Sequence, residues 1–413
     1  MNPSEAERYL LSLELFGMRF GLDRMRRLMT ALGQPERQFR SIHVVGTNGK
    51  SSTVRMIAAI LSRHGLRTGS YLSPHLVSFL ERIRIGDEDL GPNDFAGAVA
   101  RAAHAAELVD HALGGEDRVT QFEALTAAAY SELARQNVDV AVIEAGLGGR
   151  YDATSVIPSS VQVLTSVGLE HTRWLGPTIA DIAAEKLAVV RDGATLVLGA
   201  GLEPAALAVA RDVAWENGAR IVHAGIDPGV PVGALGAFQR RNFALARTAA
   251  EALLGTLDEG AVKEAAAEVR VPGRLQIVGE NPLTLFDGAH NPAGMAALAE
   301  SLPELMRGHD RLVAVLAILD DKDAAGMLAK LLPHCDEIVL TSSQNPRSLP
   351  PPTLQSLAGQ LGGPPSTLVR DPHAAVRRAR ELAGPRGVVV ATGSLYLVAD
   401  LVSPAGRRSV SVL

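Results

Sequence analysis

Lys50, Ser51 and Ser52 follow Gly49 at the end of an apolar run, and by type and spacing they are suited to hold a phosphate. The run Ile42-His43-Val44-Val45 predicts a short buried strand, Gly46-Thr47-Asn48-Gly49 a turn, and Thr53 to about Arg63 a helix. Backbone N–H groups of such a turn, with the positive end of the following helix, face an anion. Thr47, Asn48 and Gly49 would line the phosphates of a nucleotide, Lys50 would reach the β- and γ-phosphates, and a hydroxyl of Ser51 or Ser52 would sit near a metal ion. One position departs from the usual spacing: Val44 stands where a glycine is expected. Gly-Lys-Ser also occurs by chance in surface turns, so the strand before it and the helix after it give the motif its weight.

Glu144 closes a second apolar run, Val138-Asp139-Val140-Ala141-Val142-Ile143. Ligands of open α/β sheets sit outside the carboxyl ends of strands, so Glu144 is expected beside the phosphate loop as a metal-binding carboxylate rather than a surface charge. Gly146-Leu147-Gly148-Gly149-Arg150 follows, a glycine turn that lets backbone approach a ligand closely. The strand Val161–Ser166 leads to His171. Magnesium takes oxygen ligands and only occasionally nitrogen, so the residues alone read His171 as a loop histidine bonded to backbone. They likewise read Lys186 as a solvated lysine paired with an acid.

The elements that must position these groups alternate strand and helix, which predicts an α/β fold with a mostly parallel sheet. Strands are expected at Ile42–Val45, Val138–Ile143, Val161–Ser166, Thr195–Leu198 and Arg220–His223, with helices at Asp94–Leu113 and Gln121–Gln136. A second, smaller series follows Arg270-Val271-Pro272-Gly273-Arg274, with strands at Thr284–Phe286, Leu312–Leu316, Glu337–Thr341 and Gly387–Ala391. Pro-Gly interrupts the pattern there, which divides the 413 residues into expected domains 1–272 and 273–413. Ser343–Pro352, rich in proline and serine, reads as a mobile loop.

Composition narrows the partners. A net charge of −5 and 4% aromatic residues give neither a basic footprint nor stacking platforms, so no nucleic acid is expected. Cys335 stands alone, which excludes an internal disulfide and a cysteine-based zinc cluster. Glu5, Glu7 and Glu14 interrupt the N-terminal stretch where a secretory signal would be basic and then apolar, and no run is long and charge-free enough to span a bilayer. A cytoplasmic protein without a membrane partner is expected.

Taken together the motifs resemble the folylpolyglutamate synthase/dihydrofolate synthase family of the Mur-ligase superfamily, nearly end to end. The carriers are Gly46-Thr47-Asn48-Gly49-Lys50, Ser73-Pro74-His75-Leu76, Thr120-Gln121-Phe122-Glu123, Glu144 to Thr154, His171, Glu185-Lys186, Gln239 with Asn242, Pro272-Gly273-Arg274, Asp287-Gly288-Ala289-His290-Asn291-Pro292, Asp321-Lys322-Asp323 and Gly393-Ser394-Leu395-Tyr396. The resemblance implies a P-loop ATPase-like N-terminal domain and a smaller Rossmann-like C-terminal domain. It implies ATP and magnesium as cofactors, with two ions expected, and Ser73, Glu144 and His171 as metal ligands. Lys186 matches the lysine carbamylated by CO₂ in the superfamily, which would make it an acid-like ligand.

Asn242, Arg274 and Asp287 match nucleotide contacts near and beyond the domain boundary, where ATP would help close the domains. Thr120, Gln121, Phe122, Glu123, Tyr151, Asp152 and Ala153 resemble the pterin site, with Gly21, Leu22 and Asp23 beside it. His290 and Ser394 match positions near the incoming glutamate, and His290 with Lys50 and Lys186 would be catalytic. Two positions differ from many members: Ser51-Ser52 replaces Gly-Ser or Gly-Thr, as in many muramyl ligases, and Phe238 stands in place of a histidine.

The implied reaction is the ATP-dependent joining of L-glutamate to dihydropteroate, to a folate γ-carboxylate, or to both, by a monomer. The alternatives are tail extension alone, a muramyl-type ligase, a P-loop kinase or motor, or a non-catalytic ATP-binding regulatory module. A muramyl ligase should bring a domain ahead of the phosphate loop, and 45 residues leave little room for one. The Asp287–Pro292 motif argues against a simple kinase.

Overall fold

The apolar runs divide between two sheets in the computed structural model, which describes residues 1–14, 21–114 and 117–403. The first holds β1 (Arg40–Val45), β2 (Thr68–Tyr71), β3 (Ile83–Ile85), β4 (Glu88–Asp89), β5 (Val140–Glu144), β6 (Val161–Leu164), β7 (Thr195–Leu198) and β8 (Arg220–His223). Their order is β4-β3-β2-β5-β1-β6-β7-β8. All six strands from β2 to β8 in that order are parallel, while β3 and β4 add antiparallel. The second sheet holds β9 (Gln276–Glu280), β10 (Leu283–Phe286), β11 (Leu312–Leu316), β12 (Glu337–Leu340), β13 (Ser366–Leu368) and β14 (Val388–Thr392). Its order is β13-β12-β11-β14-β10-β9, parallel except for β9 against β10.

Both sheets are covered on both faces, which is why their strands are nearly continuous apolar runs. Side chains alternate across each strand. Val140 and Val142 pack with Ile57, Ile60 and Phe243, while Ala141 and Ile143 pack with Leu125 and Ala128 on the other face. In β11, Leu312, Ala314 and Leu316 meet Leu298 and Met327, and Val313 and Val315 meet Ala375 and Ala379. Strand order reverses at β1 in the first sheet and around β14 in the second. A crevice opens outside the carboxyl ends at such points, and the two sheets share one.

The expected strands recur with ends moved by one or two residues; Thr195–Leu198, Arg220–His223 and Leu312–Leu316 are unchanged. The helix after the phosphate loop begins at Lys50 rather than Thr53, with Gly49 as its N-cap at φ 86°. Ser343–Pro352 is not a free loop. Pro351 and Pro352 open the helix Pro351–Gln360, and Leu349 N donates to Ile318 O (2.8 Å) and Gln344 N to an Asp400 carboxylate oxygen (2.7 Å). Among the described residues no helix is long and apolar enough to cross a membrane.

Candidate active site

The phosphate loop takes its shape from β6. Gly46 has φ 151°, and a Cβ there would lie 1.9 Å from Thr165 Oγ1. Thr165 Oγ1 donates to Asn48 O at 2.6 Å, Asn48 N to Ser166 Oγ at 2.9 Å and Thr47 N to Ser166 O at 2.8 Å. Val44 is therefore no defect in the motif: it is a fully buried strand residue, and the turn starts two residues later at Gly46. Lys50 Nζ folds over the turn to Thr47 O at 3.3 Å. The amides opening the helix Lys50–Arg63 have no carbonyl one turn earlier and are available to an anion.

Glu144 emerges beside this loop, as the strand end requires. Its Oε1 accepts from Ser51 Oγ (2.9 Å) and its Oε2 from Ser73 N (3.1 Å). Burial pushes its carboxyl up, against the opposing charge of Lys50 and the bonds from Ser73 and Ser51. Arg82, buried to 2% exposure, donates through Nη1 to Ser73 Oγ at 3.4 Å and through Nε to His75 Nδ1 at 2.9 Å.

Lys186 overturns the reading from residues alone. It is 4% exposed, and its ammonium donates to the Gly46 carbonyl at 3.0 Å rather than to an acid. Burial, with the charge of Lys50 adding to it, brings the amine down to about 7. His171 is the N-cap of a short helix at φ 53° and forms no side-chain cap bond. Its ring faces the cavity, with Nε2 3.9 Å from Glu170 Oε1.

The second sheet faces the same crevice. Asp287, after β10, accepts from Leu275 N (3.0 Å) and Ala289 N (2.9 Å), and burial raises its carboxyl against the pull of Arg274. His290 Nδ1 lies 2.9 Å from Gly288 O. Ser394 caps the helix Leu395–Val402 by accepting from Tyr396 N at 3.0 Å. Asn242 closes the loop from the other side, its Oδ1 2.8 Å from where a Gly49 Cβ would stand.

At the far end, Glu123 accepts from Thr120 N and Oγ1 (both 2.9 Å) and pairs with Arg24 at 3.0 Å. Asp152 accepts from Leu147 N (2.7 Å) and Thr154 N (3.0 Å), and Phe122 packs 6.2 Å from Tyr71. One cavity of about 1080 Å³ joins all of this. It is lined by Gly21, Thr47 to Ser52, Ser73, Thr120, Phe122, Glu123, Glu144, Tyr151 to Ala153, His171, Lys186, Asn242, Arg274, Asp287, His290 and Ser394. Three expected residues stand apart. Gln121 turns its amide to Leu10 O (2.7 Å), Asp23 faces solvent and pairs with Arg27 (2.8 Å), and Leu22 lies outside the lining.

Sequence reasoning gave no role to Arg24, Arg82 or Glu170, and none to Asn291 although it stands within the Asp287–Pro292 motif. Arg82 follows the Ser73–Leu76 motif and bonds two of its residues, Ser73 and His75, but residue type and spacing alone do not mark it. The metal expectation is consistent with the donors present. Among the described residues no three His, Cys, Asp or Glu side chains gather around one point, so no all-protein metal cage is built. Magnesium instead uses one or two carboxylates plus phosphate oxygens and waters, and Glu144 with Ser73 offers that.

The model for the Mur ligase, glutamate ligase domain matches residues 273–395. A Bacillus subtilis dihydrofolate synthase/folylpolyglutamate synthase is 32% identical over 94% of this chain and 95% of its own. The chain belongs to the folylpolyglutamate synthase/dihydrofolate synthase family. It spans about half the length of another relative, a probable bifunctional folylpolyglutamate synthase/dihydropteroate synthase of Haloferax volcanii, at 34% identity and 50% coverage of that protein. Among solved members of the family, Mycobacterium tuberculosis folylpolyglutamate synthase complexed with ADP superposes with a TM-score of 0.90 at 32% identity, covering 98% of this chain and 99% of that one. The Yersinia pestis bifunctional enzyme complexed with AMPPNP and a Mn ion gives 0.85 at 30% identity, covering 97% of each.

Proposed function

We propose that the protein is an ATP-dependent ligase that joins L-glutamate to dihydropteroate and to the γ-carboxylate of tetrahydrofolate. The observation that carries this is the single cavity in which the phosphate loop of one sheet faces Arg274, Asp287, His290 and Ser394 of the other. The relatives named above support it. A bare carboxylate is a poor electrophile because oxide will not leave. Transfer of the γ-phosphoryl group to the acceptor's carboxylate gives an acyl phosphate and ADP. The amine of glutamate then attacks the acyl carbon and phosphate departs.

The chain's part is positioning and charge neutralisation. Lys50 and the helix amides hold the phosphates; Asn242, Arg274 and Asp287 hold the nucleotide from the far side. His290 orients the transferring group, and Ser394 lies where the incoming glutamate would dock. Glu144, Ser73 and His171 would hold a divalent metal, which supplies positive charge where two anions meet. Lys186 is proposed to be carbamylated: its neutral amine attacks CO₂, a C–N bond forms, one C=O becomes a carboxylate and the N–H proton leaves to water. A buried amine near 7 is available for that attack at neutral pH. The domain division at residues 272 and 273, a cytoplasmic setting and a monomeric working unit belong to the same reading. One chain supplies every group named, so no second copy is needed.

The test is glutamate-dependent ADP release with dihydropteroate and with tetrahydrofolate in parallel, with mass spectrometry of the products. Turnover with both is expected. Turnover with one restricts the enzyme to that half, and silence with both while ATP binds favours a muramyl-type or regulatory role. Density for a carbamate on Lys186 in crystals grown with bicarbonate and nucleotide tests the modification; a bare lysine overturns it.

A further inference from the structure

Glu170 joins the two sheets across the cavity. It sits on the loop after β6 with its side chain 10% exposed; besides the neighbouring His171 at 3.9 Å, its partners come from the second sheet. Asn291 Nδ2 donates to Oε2 at 3.0 Å, Lys322 Nζ to Oε1 at 3.2 Å, and His290 Nε2 lies 3.4 Å from Oε1. His290 and Asn291 follow β10, and Lys322 follows β11. Asn291 also exchanges two amide hydrogen bonds with Asn48 of the phosphate loop, at 3.1 and 3.0 Å. Its Oδ1 meanwhile caps the helix Pro292–Leu305 by accepting from Gly294 N at 2.7 Å.

We propose that Glu170 is a positioning residue that latches the second sheet onto the phosphate loop and fixes the imidazole of His290 over the reacting groups. This rests on the ligase reading above. An exposed ion pair would contribute little, but Lys322 is only 14% exposed, and without Glu170 its ammonium would lose its closest acid. His290 would then keep the Gly288 carbonyl alone, which fixes one ring nitrogen and leaves the other without its acceptor. Asn48 ties Asn291 to the phosphate loop by bonds that do not involve Glu170.

Glu170→Gln keeps an acceptor for Asn291 but removes the charge that holds Lys322. Its kcat should fall about 10²-fold, the scale of a small misplacement of reacting groups, with the ATP dissociation constant nearly unchanged. Glu170→Asp should recover part of the loss. Lys322→Met should resemble Glu170→Gln, and the double variant should be no worse than the poorer single, because both act through one contact. A second readout needs no turnover. Trp215 (88% exposed), on the helix Pro204–Glu216 beside the first sheet, and Leu361 (42% exposed), just past the helix Pro351–Gln360 beside the second, can be replaced by cysteine for distance labels. Cys335 is buried with its thiol pushed up to about 12, so it stays silent. With a non-hydrolysable ATP analogue the native distance distribution should be narrow, and both single variants should broaden it alike. Unchanged distances in both variants, or losses in kcat that simply add, overturn the latch. A native protein inactive with every folate acceptor would sink the ligase reading and leave the distances to decide the latch.

Discussion

Gly46→Ala tests how the phosphate loop is built. The added methyl would stand 1.9 Å from Thr165 Oγ1 and 3.1 Å from Ser166 N, on a backbone at φ 151° that suits glycine. Thr165 can escape only by turning its hydroxyl away, which breaks its bond to Asn48 O at 2.6 Å and its weaker one to Val45 O at 3.3 Å. Asn48 O keeps Ser166 Oγ at 3.1 Å and Val45 O keeps Thr165 N at 2.9 Å, so the group left without its bonds is the buried Thr165 hydroxyl. That costs about 1–3 kcal/mol, and holding an L-residue in a glycine-only region costs about 1–3 kcal/mol more. The sum, about 2–6 kcal/mol, is a large part of the roughly 5–15 kcal/mol that holds a protein folded. Thermal unfolding should show a clear loss for Gly46→Ala, and calorimetry should show loss of ATP affinity. Adding Thr165→Ala removes the oxygen in the way, so it should restore part of the melting temperature. It cannot restore the bond to Asn48, and nucleotide affinity should stay weak. Native melting and native affinity in Gly46→Ala alone would refute this account of the loop.

Lys50→Ala should lower glutamate-dependent ADP release by at least about 10²-fold, the scale for removing one charge-stabilising donor, with unchanged unfolding. Near-native turnover would remove the phosphate-loop assignment. Acid stability tests the buried His43, which bonds Thr154 Oγ1 at 2.9 Å and is brought down to about 3 by burial and, secondarily, by the charge of Arg191. The folded state keeps it neutral while the unfolded chain takes up a proton below about 6.5. Its contribution is therefore present above that pH and lost as pH falls toward about 3. Urea titrations should show the advantage of the native protein over His43→Gln shrinking by about 1.4 kcal/mol per pH unit in that window; a constant gap would count against it. Cys335 should react with a thiol reagent only after unfolding, since it is buried, and fast labelling of the folded protein would contradict its packing.

Periodicity made the strands legible, because both faces of each sheet are covered and the runs stay apolar throughout. Short or half-exposed strands left no such trace: β9 reads exposed at Ile277 and Val278, and β13 spans only Ser366–Leu368. Of the site, Lys50 and Glu144 could be read from residue type and strand end. His171 and Lys186 could not, because a lysine among small apolar residues looks alike whether it faces solvent or a carbonyl 140 residues earlier. The resemblance to a family pointed both into the site, and the structure places both on the cavity wall. Gln121 failed in the opposite direction, since its motif neighbours line the cavity while its amide tethers the N-terminal helix. Glu170 was invisible because its partners lie 120 and more residues away, in the other half of the chain.

The order of strands has a consequence for synthesis. The first sheet has all its strands once residue 223 has been made, so a phosphate-gripping loop can form on a chain still growing. The second sheet cannot close so early, because β14, its last strand in sequence, lies between β11 and β10. Until residues 388–392 leave the ribosome, β10 and β11 have an unfilled gap between them, and such unpaired edges invite wrong partners. A nascent chain would thus hold nucleotide before it owns the wall that uses it. Translation that stalls before β14 has emerged would leave a binder without a closed second sheet.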